Sequence, residues 1–228
     1  MDMAMQVASS EPVAAARASA HAPEHSLLAA SLLCMSAGYL DAFTWLSLGG
    51  VFASSQTGNV VFSGLYAMSG QWMEAGHHLL PIAGFLLGAA VAIRMRAPLL
   101  ALIGEVICLA AVMLLIHRIP DQVAIVVTSF GIALRSASFG QVEQWKYLSV
   151  AVTGNMLRGI DHLVEGSDRD APRGAAAMLV ICLAFLLGAA VGGRLTLWLG
   201  PYCLAVPIAA SLFVLGFCRR HRWRAELG

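Results

Sequence analysis

Phe85-Leu86-Leu87-Gly88-Ala89-Ala90-Val91 returns letter for letter as Phe185-Leu186-Leu187-Gly188-Ala189-Ala190-Val191. The same tripeptide precedes each copy, Thr57-Gly58-Asn59 in the first half and Thr153-Gly154-Asn155 in the second. The offsets are 185 − 85 = 100 and 153 − 57 = 96, so two matches recur in one order and nearly one register. Such recurrence predicts an internal duplication. Secondary transporters are commonly built this way and place their site where the repeats meet.

The rest of the chain is of the same apolar grade. Of its 228 residues 59% are hydrophobic and 12% charged, and the mean hydropathy is +0.76. A soluble domain carries about 25% charged residues, so the composition predicts a polytopic membrane protein. The net charge of +1 speaks against nucleic acid as a partner. Cys34, Cys108, Cys182, Cys203 and Cys218 are scattered through apolar stretches, with no CxxC or CxxH spacing. They read as small buried residues, and neither a metal site nor a disulfide frame is expected. No HExxH, GxSxG, Walker loop or Gly-rich dinucleotide turn occurs, so nothing points to an enzyme or a cofactor. Residues 1–25 lack a basic segment followed by an apolar core. They read as a flexible cytoplasmic tail, with the first span as an uncleaved insertion signal.

A membrane span needs about 20 mostly apolar residues. Segments near 26–48, 78–93, 98–116, 123–140, 174–193 and 195–217 meet that need, the last with Pro201 and Pro207 expected to bend it. Two others, near 57–68 and 150–163, are shorter and more polar. A helix over 57–68 covers about 18 Å, short of a hydrocarbon core about 30 Å thick. The expected fold is therefore an all-α membrane bundle of two repeats, 26–118 and 119–218. It has six long spans plus two short Thr-Gly-Asn helices, and a basic cytoplasmic tail over 219–228.

Charge orients the spans. With six crossings, Arg94, Arg96, Lys146, Arg158, Arg169, Arg173 and the Arg219–Arg224 cluster fall on one side, and only Arg118 and Arg194 on the other. With eight crossings Arg94, Arg96, Lys146 and Arg194 fall outside. The positive-inside bias prefers six. Three crossings per repeat is an odd number, so the halves would be inverted. Both termini would be cytoplasmic, in the inner membrane of a bacterium.

The candidate pathway residues follow from this layout. Thr57, Gly58, Asn59 and Thr153, Gly154, Asn155 come first. Threonine is a good N-cap, glycine permits close backbone approach, and asparagine both donates and accepts. Two helices that start inside the membrane would aim their positive ends at a shared anion. Alternatively both motifs cap helices at the lipid–water boundary. Asp41 and Arg135 lie within spans at similar depths and are expected to form an ion pair near the repeat interface. Glu105 has no evident counterpart and reads as a proton-coupling carboxylate, or as a side chain that faces a water-filled crevice or bonds a neighbouring threonine or asparagine. Gly84, Gly88, Ala184, Gly188 and Gly192 form small-residue faces for close helix packing. The polar run from Arg158 to Arg173 reads as a solvated loop, and His77-His78 as surface at a span junction. Trp45, Trp72, Trp145, Trp198 and Trp223 fall near span ends, as an interfacial belt requires.

Gly38-Tyr39-Leu40-Asp41-Ala42, followed by Val51-Phe52-Ala53-Ser54-Ser55-Gln56-Thr57-Gly58-Asn59, resembles the YoaK-like family of bacterial inner-membrane proteins. That family is marked by a Gly-x-x-Asp-Ala segment and then a Phe-x-x-x-x-Thr-Gly-Asn segment. The Phe-Leu-Leu-Gly-Ala run and the second Thr-Gly extend the resemblance over roughly Leu27 to Phe217. It implies location and architecture, and it implies no substrate. The second-half analogue of the first motif carries Arg135 in place of a carboxylate, so the half-sites would not be chemically equivalent. The expected function is secondary transport of a small polar or anionic solute, with protons as a candidate coupling ion. The alternative is a membrane scaffold or accessory protein in which the same charges only specify packing.

Overall fold

The computed structural model describes residues 23–165 and 169–227. Most of the N-terminal tail and Asp168 of the polar run lie outside the described residues. Eight α-helices follow a short 3-10 turn at Pro23–His25: α1 Leu27–Ser47, α2 Gln56–Met68, α3 Trp72–Met95, α4 Pro98–Leu115, α5 Asp121–Ser138, α6 Val152–Val164, α7 Ala171–Leu199 and α8 Ala205–Leu227. A two-residue hairpin, β1 Gln141–Val142 with β2 Trp145–Lys146, is a small addition to the expected all-α fold. Local chemistry sets several ends. The Ser26 hydroxyl caps α1 by accepting from Ala29 N–H (3.2 Å). Pro98 and Pro172 sit in the first turns of α4 and α7, where no N–H is missed. The last expected span does not bend within one helix. The chain breaks at a second 3-10 turn, Gly200–Leu204, which holds Pro201, and α8 starts beyond it.

Four stretches are long and apolar enough to cross a membrane: Leu27–Ser47, Trp72–Met95, Pro98–Leu115 and Ala171–His221. The last contains both α7 and most of α8. Helix α5 matches α4 in length, at 18 residues, but carries Asp121 and Arg135.

Glycines set how the long helices pair. A Cβ on Gly188 would collide with the Met35 carbonyl, and one on Gly192 would lie 2.7 Å from Tyr39 Cα. Residue numbers rise together, so α1 and α7 run parallel in backbone contact. In the other half a Cβ on Gly84 would lie 2.6 Å from the Val126 carbonyl oxygen, and one on Gly88 would collide with that of Phe130. Helices α3 and α5 are thus parallel as well. The small-residue faces do the packing expected of them: without side chains between, the backbones meet directly.

Two antiparallel contacts complete the frame. Gly131 faces Cys108 while Arg135 reaches Glu105, so α4 opposes α5. Leu102 packs with Val214 and Cys218, and Ser211 bonds Glu105, so α4 also opposes α8. Tyr39 donates to the Cys203 carbonyl (2.8 Å) while Ala29 packs near Cys218, so α1 opposes α8. Following these contacts round the bundle, α1, α4 and α7 point one way, and α3, α5 and α8 point the other.

Helices α1 and α3 are consecutive long helices and opposite in direction, so α2 makes no net crossing between them. The loop 48–55 instead turns back along α1. Ala53 N–H donates to Thr44 Oγ1 (3.1 Å), and Ser54 N–H donates to Asp41 Oδ1 (2.6 Å). Helix α2 then starts beside the middle of α3 and runs back toward its beginning, where Ser63 bonds the Ala75 carbonyl. Helix α6 does the same along α7, with Val152 against Cys182 and His162 against Gly174.

Candidate functional site

The two asparagines do identical work. Phe52 N–H donates to Asn59 Oδ1 (3.0 Å), and Asn59 Nδ2 donates to the Phe52 carbonyl (2.7 Å). Leu148 N–H donates to Asn155 Oδ1 (3.0 Å), and Asn155 Nδ2 donates to the Leu148 carbonyl (2.7 Å). Each buried amide thus clamps both backbone groups of the residue seven positions upstream. A primary amide offers a donor and an acceptor side by side on one planar group, matching a backbone N–H and C=O. Asn59 also bonds Gln56 Oε1 (2.9 Å).

The threonines are not the N-caps expected of them. Ser55 and Ala151 occupy the N-cap positions, and Thr57 and Thr153 follow inside the first turn with exposed side chains. A Cβ on Gly58 would meet the Phe52 ring at 2.8 Å, so that glycine seats the ring. Gly154 instead faces the Arg158 guanidinium.

The expected Asp41–Arg135 pair does not form. Arg135 Nε lies 2.8 Å from Glu105 Oε1, both side chains fully buried, and Arg135 NH1 donates to the Leu33 carbonyl (2.6 Å). Ser211 Oγ donates to the other Glu105 oxygen (2.8 Å). Glu105 is therefore paired rather than solitary. It takes the arginine because α4 and α5 are antiparallel neighbours, whereas Asp41 lies on α1 facing its own returning loop. Asp41, 4% exposed, accepts from Ser54 N–H, from Ser54 Oγ (2.9 Å) and from Ser55 Oγ.

Packing also corrects the register between the halves. Gly188 seats on Met35 as Gly88 seats on Phe130. Asp41 lies 41 − 35 = 6 residues past the first contact, and Ser136 lies 136 − 130 = 6 past the second. Ser136, not Arg135, therefore stands in the place of Asp41. Ser149 Oγ donates to it (3.1 Å), much as Ser54 reaches Asp41. One half carries an acid where the other carries an alcohol.

The starts of α2 and α6 share one cavity of about 360 Å³, walled by Ser54, Ser55, Thr57, Val150, Thr153 and Phe85, among others. Phe85 lies near the middle of α3, so the cavity sits at mid-depth of that helix. The first N–H groups of a helix lack intrahelical partners, and the macrodipole adds positive potential there. Two such ends and four hydroxyls make a concave surface suited to a small acceptor-rich solute. No lysine or arginine side chain lines it. Of the sequence candidates, Thr57, Thr153 and, one shell away, Asp41 converge here. Asn59 and Asn155 hold the loops that form it, and Glu105 and Arg135 lie elsewhere.

Sequence reasoning missed Ser54 and Ser55, although both stand inside the motif Val51–Asn59. It also misplaced His78, which is 3% exposed and stacks against Phe62 (5.2 Å) and Tyr66 (5.4 Å). His77 Nε2 lies 3.0 Å from the Leu48 carbonyl oxygen. The amphipathic spacing of α2 against α3 was the available signal. The polar run is not all loop: Arg158, Asp161 and His162 lie in α6, His162 meets Trp145 edge-on, and Arg173 of α7 pairs with Glu143 (2.9 Å). Trp72 and Trp198 are exposed at helix ends, as a belt requires; the Trp223 side chain lies outside the described residues.

Apolar helices of spanning length, half-length helices held by buried amides, and the buried charges Asp41, Glu105 and Arg135 define a polytopic membrane protein. The chain belongs to the family described as "Protein of unknown function (DUF1275)", whose model matches residues 29–217. It is similar to a protein of Bacillus subtilis (strain 168) described as "UPF0700 transmembrane protein YoaK", at 38% identity over 65 residues. That match covers 28% of this chain and 29% of the relative, so less than a third of the relative's length is spanned. No solved structure matches.

Proposed function

We propose that this protein is a six-crossing transporter of small carboxylates, built from two inverted repeats that meet at the cavity between α2 and α6. The alternating directions of α1, α3, α4, α5, α7 and α8 support six crossings. The opposed directions of α1 and α5, of α3 and α7, and of α4 and α8 support inversion. The basic residues Arg94, Arg96, Lys146, Arg173, Arg219 and Arg220 gather at the end where α1 begins and α8 ends, against Arg118 and Arg194 at the other. By the positive-inside rule that end is cytoplasmic, in a bacterial inner membrane.

The observation that carries the reading is the shared cavity. Two half-length helices from opposite faces aim their positive ends into one space at mid-depth, the arrangement by which broken-helix transporters hold anionic groups. Its volume, about 360 Å³, lies at the small end of ligand sites, which run about 300–1,000 Å³. The test is flux of radiolabelled lactate, succinate and glycine into proteoliposomes, with cysteines placed at Thr57 and Thr153. Solute-dependent flux, blocked by a small aqueous thiol reagent at either cysteine, is the expected result. Absence of flux for every solute, with both cysteines inert, overturns the reading.

A second reading, a dry scaffold, rests on the protein partners of both asparagines, Asp41 and Glu105, although Arg135 NH2, Ser36 and Ser129 are buried without one. Inert cysteines at both threonines in a folded protein would favour it.

A further inference from the structure

We infer that Asp41 is the proton-binding group that couples solute movement to the proton gradient, an inference resting on the transport reading above. Asp41 is a buried carboxylate with no cation beside it among the described residues. Its three donors are the neutral Ser54 N–H, Ser54 hydroxyl and Ser55 hydroxyl. Glu105, the other buried acid among the described residues, is instead tied into an ion pair with Arg135 and accepts from Ser211.

Asp41 also lines a second cavity, of about 370 Å³, with Trp45, Leu46, Phe52, Ser55 and Phe185. Trp45 and Leu46 lie beyond Asp41 toward the end of α1, the face that positive-inside places outside. The elements packed round the carboxylate are α1 itself, α7 with Phe185 and Ala189, and the loop with Phe52, Ser54 and Ser55; none of these lining residues is titratable. Ser55 borders both cavities. Asp41 therefore stands between an outer cleft and the central cavity, separated from the latter by the serines it binds.

That placement couples two ligands through one set of donors. The ionised carboxylate holds the Ser54 and Ser55 hydroxyls, which also wall the central cavity. A proton arriving by the outer cleft forms an O–H bond at Oδ2. That oxygen then ceases to be an anionic acceptor, and both hydroxyls become free to donate to a carboxylate in the central cavity. Loss of the proton reclaims them. Proton and anion therefore favour each other's binding, and by linkage the effect is reciprocal. The second half has Ser136 in this place and cannot take up a proton there, so the coupling is confined to one half-site and to one proton per cycle.

The experiment is lactate uptake by proteoliposomes across an imposed pH gradient, acid outside, with a lumenal pH dye. Wild type should accumulate lactate by about tenfold per pH unit, the limit for one-to-one symport, with matching lumenal acidification. Wild type that moves lactate without responding to the gradient overturns the inference and leaves transport standing. Wild type without flux for any solute overturns the transport reading itself. Asp41→Asn should make uptake, at whatever rate, independent of the gradient; a retained response overturns the inference. If Asp41→Asn shows no flux, Ser55→Ala decides. Removing a donor to the charged form should displace the uptake–pH profile upward by about one unit, and an unmoved profile overturns the inference.

Discussion

Replacing Arg135 with methionine should destabilise the protein severely, and replacing its partner as well should largely restore it. Arg135 and Glu105 are both fully buried, joined at 2.8 Å, and each has one further partner, the Leu33 carbonyl and the Ser211 hydroxyl respectively. Arg135→Met leaves Glu105 ionic with only a hydroxyl to face. Glu105→Leu leaves the guanidinium with only a carbonyl. Stranding one member of a buried pair costs about 3–5 kcal/mol, whereas replacing both by apolar residues of similar volume is close to neutral. If the single changes cost about 4 kcal/mol each, additivity would give about 8; the double variant should instead lie within about 1 of wild type. The assay is SDS-titrated unfolding of purified protein in micelles, followed by tryptophan fluorescence. Asp41→Asn serves as the control, because Asp41 and Arg135 have no common partner and their effects should add. Additive behaviour of Glu105 with Arg135, or strong coupling of Asp41 to Arg135, would refute the pairing argued from the helix directions.

Asn59→Ala and Asn155→Ala should each cost about 2–4 kcal/mol, since each strands a buried N–H and a C=O; near-equal losses in the same unfolding assay would mark the two clamps as equivalent. Gly188→Ala, which drives a methyl into the Met35 carbonyl, should abolish folding or cost more than about 3 kcal/mol. Gly193→Ala, with its nearest neighbour at 3.9 Å, should change stability by under about 0.5 kcal/mol. A topology reporter placed between Met95 and Ala97 should lie on the same side as one fused after Gly228; opposite sides would make α2 a full crossing and remove the inversion.

Much of the fold was legible because it depends on local composition. The long apolar runs predicted α1 and α4 to within one residue and α3 and α7 to within six at either end, since hydropathy and helix length answer to the bilayer rather than to partners. The short Thr-Gly-Asn helices were legible as segments, near 57–68 and 150–163, whose length falls short of an ordinary span. What failed was pairing. Asp41 and Arg135 occupy similar depths, and depth was all that sequence could compare. The ring of parallel and antiparallel neighbours puts them on different contacts, so Arg135 found Glu105. Thr57 has the chemistry of a cap but lies inside the first turn, and Ser55 at the N-cap position gives its hydroxyl to Asp41 instead. His78 reads as surface beside His77, which meets the Leu48 carbonyl in the loop, while two aromatic rings of α2 stack against it.

Sequence alone determined that this chain lives in a membrane, and it showed two runs recurring in one order and two Thr-Gly-Asn segments too short to be ordinary spans. Those properties follow from residue chemistry and from counting. Only the tertiary structure decided which buried charges pair, which asparagine atoms clamp which backbone, and that the two short helices open onto one cavity. Each depends on the relative direction of helices distant in sequence, which glycine-to-backbone contacts set and local patterns do not encode.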